Sequence, residues 1–211
     1  MTDNYNNIYE YMHNLGIVNT KDEAMKSDLF FDVQLIRRGK DHPNMPAANY
    51  TFKTYYFDSL EIFNKSYDEI KKCCEIFGLR AYVSVNVKSK QEAAKKTLEK
   101  YAHNIVTNEY TKPWKDFSSV CGGLKGAIKR WVIDCDDTNS ESNYIKEISR
   151  IIMTCDSEYT NPIVTTIKTK SGIHLITNPF NIKQFKNLCN YNGLEIPAIQ
   201  LNHMTLLYEN L

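Results

Sequence analysis

From Arg130 to Asp137 the chain reads Arg-Trp-Val-Ile-Asp-Cys-Asp-Asp, an apolar strand-like run that ends in acids. Successive side chains on a strand point to opposite faces, so Asp134 and Asp136 share one face and Cys135 takes the other. Two carboxylates side by side repel each other. A divalent cation offsets that cost, and paired aspartates are hard oxygen ligands of the kind Mg²⁺ or Mn²⁺ takes. The run therefore demands a central strand whose C-terminal end opens on a crevice, the place where α/β sites gather. The plainer alternative is a strand entering an acidic turn, for which Asp137-Thr138-Asn139-Ser140 is well suited.

A second segment, Thr169-Lys170-Ser171-Gly172-Ile173-His174-Leu175-Ile176, leads from a base and small residues into a histidine on another strand. Alternation predicts Lys168, Lys170 and Gly172 on one face, with His174 continuing it. Ammonium groups, a hydroxyl, a glycine amide and an imidazole on one patch would form a phosphate cradle. A solvated hairpin with a buried, hydrogen-bonded His174 is the competing reading. Together the two segments point to phosphoryl or nucleotidyl chemistry on a nucleotide or nucleic acid.

Around them the pattern alternates strand and helix, which favours a mixed α/β layered fold. Helical spacing predicts helices over 4–15, from a cap at Asp58 or Ser59 to Phe77, and over 90–106 behind Ser89. In the second, Glu61 is placed for a capping box. Strands are expected at 30–37, 50–57, 80–87 and 130–136. Residues 37–49 read as a loop and 107–126 as irregular. A helix over 143–154 capped by Ser140 or Ser142 precedes a hairpin of 162–168 and 172–177, turning near Lys170-Ser171-Gly172. Asn181 caps a helix to Cys189, and 197–208 reads as one last strand with a bulge.

The balance of 26 Lys and Arg against 25 Asp and Glu leaves a nucleic-acid partner dependent on a local basic patch. Arg80, Tyr82, Ser84, Asn86 and Lys88 recur at period two along one predicted strand, and Arg37 follows another. Basic and aromatic residues interleaved on a sheet can hold a single strand by stacking and phosphate contact. Arg37, Arg80, Tyr82 and Lys88 are the candidates, with Tyr55 and Tyr56 as further rings; Arg38 and Lys40 read as ordinary surface charge. No apolar run approaches a membrane span and no export pattern opens the chain, so a cytoplasmic location is expected. Six cysteines without a Cys-x-x-Cys pair read as reduced thiols rather than a zinc ribbon. Gly122-Gly123-Leu124-Lys125-Gly126 lacks the spacing of a phosphate-binding loop. His203-Met204-Thr205 has the His-x-Thr form of two-histidine phosphoesterases, but His174-Leu175-Ile176-Thr177 is not a second copy of it, and chance is the better reading.

In order and spacing, Ile133-Asp134-Cys135-Asp136 and Ser171-Gly172-Ile173-His174-Leu175 resemble the first two motifs of the archaeo-eukaryotic primase superfamily, which includes primase-polymerases of phages and plasmids. The resemblance covers about 130–177. It implies that Asp134 and Asp136 hold Mg²⁺ or Mn²⁺, and that His174, Ser171 and Lys170, with Lys168 and Gly172, bind a nucleotide triphosphate. It also implies a third acid on a late strand near Ile199–His203, where Asn202 is the candidate ligand and Glu209 an acid nearby.

The resulting expectation is an α/β (α+β) chain: an N-terminal αβ module over 1–126 and an RRM-like, primase-type sheet over 127–211 carrying the Asp-x-Asp strand, the two in one compact unit. Its function would be nucleotidyl transfer on a single-stranded DNA or RNA template, catalysed through Asp134, Asp136 and His174. A helicase or other replication protein would be its partner, and its origin a phage or plasmid. The rivals are a non-catalytic nucleic-acid-binding module with a degraded metal site, and a metal-dependent nuclease or phosphoesterase.

Overall fold

The computed structural model describes residues 1–41, 48–110, 112–136 and 143–210. The turn predicted at 137–140, the Ser140 or Ser142 cap and the prolines of the 37–49 loop lie outside these residues. In chain order the elements are β1 (Thr2–Asp3), α1 (Tyr5–Asn14), α2 (Lys21–Ala24), β2 (Leu29–Arg37), β3 (Tyr50–Phe57), α3 (Leu60–Phe77), β4 (Arg80–Ser84), β5 (Lys88–Ser89), α4 (Lys90–Thr107), α5 (Pro113–Gly123), β6 (Trp131–Cys135), α6 (Asn143–Thr154), β7 (Ile163–Lys168), β8 (Ile173–Thr177), α7 (Ile182–Tyr191), β9 (Ala198–Gln200) and β10 (Met204–Glu209).

The strands form two antiparallel sheets. One runs β1-β10-β4-β2-β3 with β5 paired to β2, and the other runs β7-β8-β6-β9. From β6 onward the succession is strand, helix, strand, strand, helix, strand, with β6 and β8 central. The acid-bearing run is thus an inner strand, as its apolar residues require. Its alternation divides two cores. Val132 joins Ile176, Ile167 and the first sheet's Val33, Leu35 and Val83 in one buried cluster. Ile133 and Cys135 face the other way, onto α6 and α7. The α6 stripe Ile145, Ile148, Ile151 and Ile152 is buried there; each such side chain contributes roughly 1.5–3 kcal/mol when removed from water. The shared cluster makes the two sheets one packed body.

The final run does not stay in one sheet. Leu201, Asn202 and His203 break the expected 197–208 strand, so β9 pairs with β6 while β10 crosses to lie between β1 and β4. The division at residue 126 therefore separates two stretches of sequence but not two sheets. Residues 113–123, read as irregular, form α5, started by Pro113 at its first turn. Ser59 caps α3 by accepting from Ile62 N, and Gly78 ends it at φ 60°. Glu61 makes no capping box there, because with Ser59 as the cap it stands one residue short of the N3 position, and its carboxylate instead accepts from Lys21 N at 3.1 Å; the box belongs to Thr20 and Glu23 on α2. Gly126 is fixed by close approach: a Cβ there would meet Asn86 Cβ at 2.5 Å. Among the described residues no helix is long and apolar enough to cross a membrane.

Candidate active site

The two sheets part at one end to leave a cleft of about 710 Å³. Asp134, Asp136, Thr169, Lys170, Ser171, His174 and Gln200 line it from the second sheet. Ile36, Arg38, Lys40, Arg80, Tyr82, His203, Met204 and Leu206 line it from the first sheet and its connections.

Antiparallel pairing places Asp134 directly opposite His174. Their side chains share a face, and His174 Nε2 lies 3.4 Å from Asp134 Oδ1. The other ring nitrogen, Nδ1, is 2.9 Å from Thr205 Oγ1 on β10. The imidazole is buried and bridges the sheets, tying the acid of one to the hydroxyl of the other. The contact with His174 is the main influence holding the Asp134 carboxyl below its ordinary pKa of 3.8, against the opposing effect of partial burial; His203 and Arg38 add smaller contributions in the same direction. Asp136, just past the strand, accepts from Ser171 Oγ at 2.9 Å. This bond joins the acidic strand end to the β7–β8 turn, which is closed by Thr169 N donating to Gly172 O at 2.9 Å. Lys170 reaches across to Asp41, 3.9 Å away.

Not every expected residue comes to the cleft. Lys168 pairs with Ile173, and Ile167 with His174. Lys168 therefore shares the face of Ile173 and points away from His174; the irregular turn at 169–172 resets the alternation that had placed them together. Gly172 serves the turn through its carbonyl. Asn202 faces out of the cleft: its Nδ2 donates to Leu124 O and its Oδ1 accepts from Asn86 Nδ2, both at 3.4 Å. The residue of the late strand that stands beside Asp134 is Gln200, whose Nε2 is 3.5 Å from Asp134 Oδ2. Glu209 is buried on β10 and lies 3.2 Å from Arg80.

The four strand-binding candidates also separate. Arg80 and Tyr82 are in the cleft wall. Arg80 is only 3% exposed, held by Asp41 at 2.7 Å and by Glu209. The Tyr82 hydroxyl accepts from Arg38 Nη1 at 3.2 Å. Lys88 is buried against Asp32. Arg37 ends β2 beside Tyr50 and does not line the cleft. Tyr55 and Tyr56 are engaged elsewhere, with Glu69 and Ser118.

Four contributors were invisible to local pattern. Arg38 and Lys40 looked like surface charge but line the wall facing the acids. His203 and Thr205 looked like a coincidental His-x-Thr, yet both belong to the site because the chain crosses between sheets at this point. Partial desolvation in the cleft lowers the His203 pKa; His174 lowers it further and Asp134 opposes the shift.

No cluster of three or more His, Cys, Asp or Glu suited to a metal occurs among the described residues. The donors present still fit a hard divalent ion. Asp134 and Asp136 offer two carboxylates, while Gln200 turns its amide Nε2 rather than its oxygen toward Asp134. Mg²⁺ is commonly held by one or two carboxylates, with waters and substrate phosphates completing its shell. Comparison with family models, curated proteins and solved structures found no match to this chain.

Proposed function

We propose that the cleft is a primase-polymerase-like nucleotidyl-transfer site, served by Mg²⁺ or Mn²⁺ on Asp134 and Asp136. The observation that carries this reading is the in-register pair of Asp134 and His174 on adjacent inner strands, with Ser171 and Lys170 on the connecting turn. The order of β6 to β9 supports an RRM-like sheet beneath it.

In this reading Lys170, Ser171 and His174 meet the phosphates of an incoming nucleotide triphosphate. Arg38 and Lys40, on the opposite wall, add cationic charge where the triphosphate would otherwise face the acids alone. Asp134, held as a carboxylate by His174, is kept available as a hard ligand. When bound, the divalent ion supplies charge stabilisation at the transferred phosphoryl group. Gln200, a neutral amide, stands beside Asp134 where the resemblance implies a third acid, so the site carries less negative charge and is expected to hold its ion less tightly.

That same neutral Gln200 is the observation favouring the second reading, a strand-binding module without catalysis. Primer-extension and de novo synthesis assays with labelled nucleotides separate the two. Wild type should incorporate nucleotide with Mn²⁺ or Mg²⁺. Asp134→Asn should lower incorporation by a factor of hundreds or more, on the scale of a few kcal/mol, while single-strand affinity stays nearly unchanged. Strand binding with no incorporation by wild type, across both ions and both ribo- and deoxynucleotides, would transfer the conclusion to the non-catalytic module.

A further inference from the structure

The near-neutral charge of the chain conceals a strong local imbalance. Residues 90–130 hold nine Lys and Arg against four Asp and Glu, while the whole chain holds 26 against 25. The imbalanced segment is α4, α5 and the linker into β6. It folds as a helical hairpin: Tyr101 Oη donates to Pro113 O at 3.0 Å, and Asn104 Nδ2 to Asp116 Oδ2 at 3.1 Å. Two of its four acids are paired within the segment, Asp116 with Lys100 at 3.4 Å and Glu92 with Lys95 at 3.5 Å. Lys112, Lys115, Lys125 and Lys129 are exposed, and among the described residues no ion pair neutralises them.

An aromatic ring stands beside Lys112 at the start of α5. Trp114 is 64% exposed, and Lys112 Nζ lies 5.5 Å from its ring centroid. A large ring left in water beside a cation offers a stacking surface for an unpaired base next to a contact for its phosphate. The opposite end of α5 reaches the cleft rim. Asn202 donates to Leu124 O at the end of the hairpin, and the next residue, His203, lines the cleft.

We infer that the α4–α5 hairpin is the docking surface for a single-stranded polynucleotide, held by phosphate contacts to the exposed lysines and by stacking on Trp114. The inference shares its partner with the nucleotidyl-transfer reading but places most of the strand affinity outside the cleft. It also moves that affinity away from Arg37 and Lys88. Paired bases keep their faces stacked inside a duplex, so the exposed ring favours a single strand.

The test is fluorescence anisotropy with a labelled oligo-dT, at several salt concentrations. Lys112→Glu/Lys115→Glu should weaken binding by at least about tenfold and flatten the salt dependence, by about 0.7 in log–log slope for each phosphate that is no longer neutralised. Trp114→Ala should cost about tenfold with the slope retained. Lys183→Glu/Lys186→Glu on α7 makes the same charge change on another helix and should leave affinity within about twofold. Circular dichroism of each variant guards against misfolding. Unchanged affinity in both hairpin variants would overturn the inference while leaving the cleft reading standing; an equal loss in the α7 variant would overturn it as a non-specific charge effect. Wild type that binds oligo-dT through the hairpin but incorporates no nucleotide would keep the inference and remove the cleft reading. Exposed Leu98 and Ile105 on α4 define the remaining competitor. A dimer in sedimentation that Leu98→Asp/Ile105→Asp dissolves, with oligo-dT affinity indifferent to the lysine reversals, would assign the hairpin to self-association and overturn the inference.

Discussion

Asp134 and His174 are Cα partners on neighbouring antiparallel strands, and His174 Nε2 lies 3.4 Å from the Asp134 carboxylate. This single pairing joins the acidic strand to the β7–β8 hairpin and, through Thr205, to the first sheet. The environment of the acid is thereby set by residues about 40 and 70 positions further along the chain, as close packing of distant segments allows.

Gln200 and Asn202 make opposite predictions for the metal. Gln200→Asp should place a third carboxylate beside Asp134 and tighten Mn²⁺ by about tenfold or more, as hard cations respond to ligand charge. Asn202→Asp should leave Mn²⁺ affinity unchanged, because Asn202 faces Asn86 and Leu124. Isothermal titration of Mn²⁺ into both variants checks this. Equal tightening by both would place the two side chains at one site, against the β9 register.

Thr205→Val keeps the shape at that position and removes the hydroxyl that meets His174 Nδ1. A buried ring nitrogen left unpaired should cost about 1–3 kcal/mol of stability, read from urea unfolding. Thr205→Ser should recover most of it. A Val variant as stable as wild type would show that the hydroxyl contributes nothing to holding the ring.

Arg80 sits between Asp41 and Glu209, all three nearly inaccessible to water. Arg80→Met removes the cation and leaves two buried carboxylates. The expected loss is about 3–5 kcal/mol. Asp41, freed of Arg80, should draw Lys170 more strongly from its present 3.9 Å, away from nucleotide, and so raise the KM for nucleotide in an active chain. Unaltered urea stability would mean that this network adds little.

His203 predicts a pH dependence of stability. Its folded pKa is lowered from the ordinary 6.5, so the native chain prefers the neutral ring. The stability this carries is complete above pH 6.5 and is lost as pH falls through the lower folded value. His203→Gln should therefore flatten the stability profile between about pH 7 and pH 5, measured by urea midpoints across that range. A wild-type profile no steeper than that of the variant would show that His203 does not couple to folding.

Much of the architecture was legible in the chain itself. The apolar run Trp131–Ile133, continued by Cys135, is enough to require an inner strand, and alternation puts Asp134 and Asp136 on one face. Helical spacing, with Ser59, Ser89 and Asn181 as caps and Gly78 as a stop, locates three helices, because capping is a local exchange between a side chain and nearby amides. Lys170, Ser171 and His174 could be read as neighbours of the acids from motif order alone. Lys168 could not be placed, since an irregular turn resets a period of two and one residue of shift reverses the face.

Tertiary structure alone decided the rest. The Leu201–His203 break sends β10 to the first sheet, which brings His203 and Thr205 to the site and puts Gln200, rather than Asn202, beside Asp134. Arg38 and Lys40 became a cleft wall only when the sheets closed on a common core. Strand pairing and cleft formation join residues far apart in sequence, and local periodicity carries no record of which distant strand a segment will meet.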